Sequence, residues 1–222
     1  MGTRKLVIFG AETNARLAHF YFSKQSDFQV CAFTVDRDYL GADSFCDLPV
    51  VAFEEVSDRF PPSDHSMFVA IGYTKMNKIR EAKYHAAKDL GYSLASFISP
   101  RCSFLTDLPI GDNCLIMEDN TIQPFVQIGN DVIIWSGSFV GHDAVIEDHC
   151  FLTSHVVVPG FTRIGRNSFL GANATLRDAI TIAPETLVGA GAVIMKDTVE
   201  KGVYLPPRAV LFNKKSDEIT IS

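Results

Sequence analysis

Three of the six histidines in this chain fall within one stretch, FVGHDAVIEDHCFLTSHVVVPG, between Phe139 and Gly160. A neutral imidazole can take a proton from an attacking amine or hydroxyl. A carboxylate beside it fixes the tautomer and supports the imidazolium that forms. His142 is followed directly by Asp143, which makes this pair the leading candidate for general-base chemistry. His149 and His155 are its competitors. Five cysteines, Cys31, Cys46, Cys102, Cys114 and Cys150, form an odd set without CxxC spacing, so neither a disulfide framework nor a metal site is expected and the thiols are read as buried.

The elements that must hold these histidines announce themselves as a repeat. Stepping by six from Ile110 to Ile194 gives fifteen aliphatic residues without exception. Four residues after each comes a residue that is nearly always small or β-branched, such as Cys114, Ala144, Cys150 and Ala174. An amphipathic helix would repeat at 3.6 residues instead. A six-residue period is satisfied by a triangular prism in which each hexapeptide supplies one short strand and one corner. The aliphatic residue points to the axis, and coils of three hexapeptides stack in parallel at the usual strand spacing. In this register His142 stands at i+2 after Val140, while His149 and His155 stand at i+3 after Ile146 and Leu152. All three can point outward. His149 stacks between Asp131 and Asn167 and is expected to bridge them. His155 stacks in register with Asn173, where a polar ladder would explain it as well as catalysis.

Residues 1–100 follow another pattern. KLVIFG, FQVCAFTVD, MFVAIG and YSLASFIS read as strands, alternating with helices over ARLAHFYFSKQ and NKIREAKYHAAKDLG, which implies a small parallel α/β sheet. The first turn, FGAETNA, carries Gly10 and Asn14 where a dinucleotide-binding loop would lie. Glu12 replaces the glycine that lets backbone approach a pyrophosphate, which argues against NAD. Asp36 closes the second strand, where it can accept from a ribose hydroxyl or a base N–H, or simply serve the turn. Gly72 and Asn77 follow the third strand on the same edge and can line the same crevice, beside Lys75, Lys78 and Arg80, which can equally form a solvated face.

Composition bounds the rest. With 47% apolar and 21% charged residues and no apolar run near the roughly 18 a span requires, the chain is not expected to insert into a membrane. The opening MGTRKLVIFG lacks signal-peptide features, and Gly2 is not read as a lipid anchor, so a cytoplasmic location is expected. The net charge of −6 gives no general attraction for nucleic acid.

A small α/β domain followed by a prism with a GHD corner resembles the hexapeptide-repeat sugar acyltransferases of the sialic acid O-acetyltransferase and nucleotide-aminosugar N-acetyltransferase type. The resemblance implies a Rossmann-like nucleotide-sugar-binding domain over 1–100, a left-handed parallel β-helix over 101–200 and a tail over 201–222. The left hand comes from the resemblance alone. It further implies a homotrimer, acetyl-CoA as co-substrate lying between neighbouring prisms, and a nucleotide-linked sugar as acceptor touching Gly10, Asn14, Asp36, Gly72 and Asn77. His142 would be the base, supported by Asp143, with direct acyl transfer. O-acetylation of a free sugar such as a sialic acid, and a non-catalytic nucleotide-sugar-binding or assembly protein, are the alternatives.

Gly160 lies one coil beyond His142 and is expected to leave room for a thioester. From Cys102 to Thr162 there is no Lys or Arg; the basic residues of the prism come later, and Lys196 falls three coils beyond His142 in the same corner column. Acetyl-CoA is therefore expected to run along the prism from His142 past Gly160 toward Lys196, with Ala172 and Ala190 as further cofactor contacts. Trp135, at i+1 of its hexapeptide, is expected on a flat face at a subunit interface, or else beneath the chain's own N-terminal domain.

Overall fold

The computed structural model describes residues 4–211 and 213–219; Gly2 and the last three residues of the tail lie outside them. The N-terminal unit comprises β1 (Arg4–Phe9), α1 (Thr13–Gln25), β2 (Phe28–Val35), β3 (Ser44–Phe45), β4 (Leu48–Ala52), the one-turn α2 (Val56–Arg59), β5 (His65–Val69) and α3 (Lys78–Asp89). Its strand order is β3-β4-β2-β1-β5, parallel except for the β3–β4 edge pair. β4 is an addition to the sequence reading, because LPVVA is short and carries Pro49, a residue that weakens any strand pattern. The strand read in YSLASFIS divides. Leu94 bridges Met67 in the first unit, whereas Phe97–Ile98 pairs with Leu115–Ile116 and so belongs to the prism.

The second unit is the triangular prism. One face is built from Phe97–Ile98, Leu115–Ile116, Ile133–Ile134, Phe151–Leu152, Phe169–Leu170, Leu187–Val188 and Val203–Tyr204. The second runs from Ser103–Phe104 through Phe139–Val140 to Val193–Ile194, and the third from Gln127–Ile128 to Thr181–Ile182. All pairings between coils are parallel and join residues 18 apart over most of the length, as Ile133 with Phe151. The axis is filled by the aliphatic column and the small i+4 residues, including Ile134, Val140, Ala144, Cys150 and Leu152, all buried. The period-six pattern thus extends upstream to Phe104 and Ile98. The corners turn through left-handed residues, among them Asn113, Asp131, Asp143, His149 and Asn173, with φ between 56° and 63°. Asn and Asp tolerate that conformation better than most residues, which explains their density at the corners.

The first face is the one covered by the N-terminal unit. Its residues one before each axial position are Leu115, Ile133, Phe151 and Phe169, and they pack with Ala15, Ala18, Tyr21 and Phe22 of α1 in one core. The corresponding positions of the other faces are mostly polar or mixed, as Thr121, Gln127 and Arg163. Trp135 packs, partly buried, against this same core, which answers to the second expectation, a place beneath the chain's own N-terminal unit. Among the described residues no helix is long and apolar enough to cross a membrane. Cys114 and Cys150 are buried, and burial pushes both thiols up to about 12; Cys31, Cys46 and Cys102 are only half-buried, against expectation.

Candidate active site

The corner between the second and third faces presents His142. Its backbone N–H donates to Gln123 Oε1 at 2.9 Å, and its carbonyl accepts from the Phe161 N–H at 3.0 Å, so coils on both sides fix the position. The left-handed turn at Asp143 (φ 57°) brings the carboxylate back against the preceding ring, with Nδ1 of His142 2.9 Å from Asp143 Oδ2. A carboxylate can only accept, so Nδ1 carries the proton and Nε2 presents a lone pair. The imidazole is half exposed, and the Phe161 ring stands edge-on to it at 5.0 Å.

Gly160 serves this geometry differently from the sequence expectation. A Cβ there would lie 3.0 Å from both Cε1 and Nε2 of His142. The glycine therefore makes room for the His142 ring itself, and the Gly160 N–H has no backbone partner among the described residues. Exposed Phe125 and Phe161 flank the pair one coil to either side, and Leu105, Val193 and Met195 are further exposed apolar residues of the second face. A soluble monomer seldom leaves that much apolar side chain uncovered around polar chemistry.

The remaining predicted cofactor residues are dispersed. Lys196 is exposed in the His142 column, but Asp178 stands in the same column between it and Gly160. Ala172 and Ala190 occupy the corner between the first and second faces, across the second face from His142, and the single chain does not bring them to it. His155 shares their corner. Among the described residues no hydrogen bond joins its ring to Asn173; the ring lies instead over Gly137, whose hypothetical Cβ would sit 2.5 Å from Nδ1. The anticipated ladder is replaced by ring-over-glycine packing.

In the N-terminal unit, Gly10 adopts φ +120°, and a Cβ on Gly72 would lie 2.8 Å from Asn14 Nδ2. These three therefore gather at the carboxyl edge of the sheet, as the sequence suggested. Asp36 is engaged in an ion pair with Lys83. Asn77 is a clear correction. It is fully buried in a left-handed turn, donates from Nδ2 to the carbonyls of Asn167 and Ser168 at 3.1 and 3.3 Å, and accepts from Arg80 at 3.0 Å. With every polar side-chain atom committed to docking α3 on the prism, it has nothing left for a substrate.

Arg80, which the sequence left open between the crevice and a solvated face, takes neither place. Its guanidinium is fully buried, 3.0 Å from Asp131 Oδ1, and donates further to the carbonyls of Asp131, His149 and Gly72. Asp131 also accepts from Asn113 and from Nδ1 of His149 at 2.8 Å. His149 thus bridges Asp131, as expected, but faces Glu81 of α3 on its other side and not Asn167. Burial pushes the Glu81 carboxyl up, yet hydrogen bonds from Lys78 and Asn167 and the neighbouring positive groups hold it below the usual range. Glu118 behaves alike: burial raises it, but bonds from Tyr21 and Ser136 bring it below the usual value, while burial first and the Glu118 bond second push Tyr21 up to about 12. The signal that could have exposed this seam was the run of apolar residues before the axial positions of the first face, which tells which side is covered.

Comparison with known proteins agrees with this architecture. Residues 110–142 match the bacterial transferase hexapeptide family (six repeats), and residues 161–196 match the hexapeptide repeat of succinyl-transferase. The acetyltransferase domain of PglB from Neisseria gonorrhoeae FA1090 superposes with a TM-score of 0.82 at 24% identity, covering 91% of this chain and 97% of that one. The chain has the fold of the hexapeptide-repeat sugar acyltransferases. PerB from Caulobacter crescentus, solved with CoA and GDP-perosamine, superposes at 0.79 with 25% identity over 92% of this hexapeptide-repeat chain and 95% of that one. Among curated proteins, the bifunctional protein GlmU of Lawsonia intracellularis is 30% identical over 49% of this chain. An acyl-[acyl-carrier-protein]–UDP-N-acetylglucosamine O-acyltransferase of Stutzerimonas stutzeri is 29% identical over 41%. The hexapeptide-repeat chain spans only 26% and 38% of the lengths of those two relatives.

Proposed function

We propose that this chain is an acetyl-CoA-dependent N-acetyltransferase that acylates the amine of a nucleotide-linked aminosugar, with His142 as general base. The observation that carries the reading is the His142–Asp143 pair at an exposed corner, its Nε2 free and its ring seated over Gly160. The likeness over both units to a GDP-perosamine N-acetyltransferase solved with CoA and GDP-perosamine supports the class of both substrates. The curated O-acyltransferase relatives align with less than half of this chain.

In this mechanism His142 Nε2 takes a proton from the sugar amine as its nitrogen attacks the thioester carbonyl. Nδ1–H holds to Asp143, whose charge supports the imidazolium. The Gly160 N–H is assigned as donor to the oxyanion. Collapse breaks the C–S bond, and the imidazolium returns its proton to the departing thiolate, so no covalent enzyme intermediate is needed. The nucleotide is assigned to the Gly10–Asn14–Gly72 edge, and the CoA diphosphate to the basic C-terminal coils around Lys196. The exposed Phe125 and Phe161 support a homotrimer in which a second copy covers this corner, and a cytoplasmic location suits both substrates.

The test is thiol release from acetyl-CoA with UDP-, dTDP- and GDP-linked aminosugars, read together with the mass of the sugar product and sedimentation of the protein. Release with one nucleotide-linked aminosugar and an N-acetyl product supports the reading. Acetylation of a free sugar hydroxyl alone, or CoA binding without turnover on any sugar, overturns it.

A further inference from the structure

The seam between α3 and the prism holds a cluster that the acyl-transfer reading does not use. His149 is only 3% exposed, and its Nδ1 lies 2.8 Å from Asp131 Oδ2. Asp131 is itself buried against the Arg80 guanidinium, so it accepts and Nδ1 carries the proton. Nε2 is therefore the ring nitrogen that faces α3. Among the described residues it has no hydrogen-bond partner, and Oε1 of Glu81 lies 3.8 Å away. With Nε2 unprotonated, both atoms are available to a metal ion placed between them. One turn further along α3 stands His85, its ring centroid 5.6 Å from that of His149. One ligand atom from each of Glu81, His85 and His149 lies within 4.8 Å of the others.

We infer that this cluster binds a divalent transition-metal ion of the zinc or cobalt class, held by Glu81, His85 and His149 and clamping α3 to the prism. Two imidazoles and one carboxylate form a donor set suited to zinc, whereas magnesium and calcium take oxygen ligands. The Asp131 carboxylate behind His149 supplies the outer hydrogen bond that fixes the tautomer of a ligating histidine. A cavity of about 800 Å³ opens beside His85 and His149, giving the ion an entry path and water a fourth coordination position. The site contains no cysteine, so cysteine spacing could not reveal it and the expectation that the chain holds no metal is revised.

Two cations already attend Glu81: Arg166 at 2.6 Å from Oε1 and Lys78 at 3.2 Å from Oε2. Both side chains are substantially exposed and can retreat into solvent. The rival occupant of the gap is a proton on Nε2, shared between His149 and Glu81. A proton joins only two groups, and three converge here.

The decisive experiment titrates Zn²⁺ into the full chain, freed of metal by chelator, near neutral pH, against a chromophoric chelator and by thermal melting. Wild type is expected to bind one equivalent per chain and to melt higher as Zn²⁺ rises, since a ligand that binds only the folded state stabilises it. His85→Ala, a change at an exposed position, should melt like wild type in EDTA. It should weaken Zn²⁺ binding by at least about tenfold and lose the metal-dependent shift. Glu81→Gln should do the same for binding. Zn²⁺ affinity unchanged in His85→Ala, no binding by wild type, or an equal response to Mg²⁺ would each overturn the site, the second leaving the proton as sole occupant.

Discussion

Two corners of one prism carry the same pair, an imidazole whose Nδ1 is held by an aspartate, and use it in opposite ways. At His142 the partner is the next residue, Asp143, at 2.9 Å, and the two side chains are 51% and 42% exposed. At His149 the partner is Asp131, one coil away at 2.8 Å, and the two are 3% and 0% exposed. The pairing is identical chemistry, so the difference lies in what surrounds it. At the first corner Nε2 meets solvent over a glycine, where a substrate can arrive. At the second, α3 closes the corner with Arg80, Glu81 and Tyr84, and the pair becomes part of an interdomain lock. A local histidine–aspartate geometry therefore defines a potential base only where the fold leaves the second nitrogen open.

The comparison breaks most visibly at His142. His142→Ala is expected to lower kcat by roughly 10²–10⁴ with the melting temperature unchanged, because a general base acts in the transition state and the ring is exposed. Activity within about threefold of wild type would remove His142 from the mechanism. The opposite signature is expected at the buried corner. Arg80→Met leaves Asp131 buried without its cation and should cost about 3–5 kcal/mol in urea unfolding. A loss below about 1 kcal/mol would show that α3 docks without the ion pair.

Gly160→Ala sharpens the comparison on the active side. Its Cβ would press to 3.0 Å on the His142 ring, and a displaced base is expected to lower kcat about 10- to 100-fold while the fold survives. Normal turnover in that variant would mean the ring works from another rotamer. The smallest effect is expected from Asp143→Asn. The pair is well exposed, and exposed pairs contribute little, so a fall in kcat of only about two- to fivefold is anticipated in a steady-state assay. A loss as large as that of His142→Ala would show that the corner is buried during turnover, as a covering second copy would make it.

The legible part of the molecule was the part with local periodicity. The six-residue spacing of aliphatic residues from Ile110 to Ile194 specifies a prism because no helix or ordinary sheet could bury that column, and the structure places those residues on the axis. The same register put His142 at an outward corner with Asp143 beside it. The α/β alternation of the first hundred residues was also readable, except for the short β3 and α2, for β4, which carries Pro49, and for YSLASFIS, whose second half pairs with the prism.

What the sequence by itself determined, then, is the repeat, its phase and the outward placement of the histidines, because each follows from neighbours within one or two coils. Only the tertiary structure decided which corner is buried. It buried Arg80 as a clamp between the two units, withdrew Asn77 from any substrate, packed Trp135 against the core that α1 completes and seated the His142 ring over Gly160. Those outcomes depend on contacts such as Arg80 with Asp131 and Asn77 with Asn167, which join residues 51 and 90 positions apart. Side-chain burial at such distances is set by how two separately folded units meet, and no periodicity within either unit encodes that meeting directly.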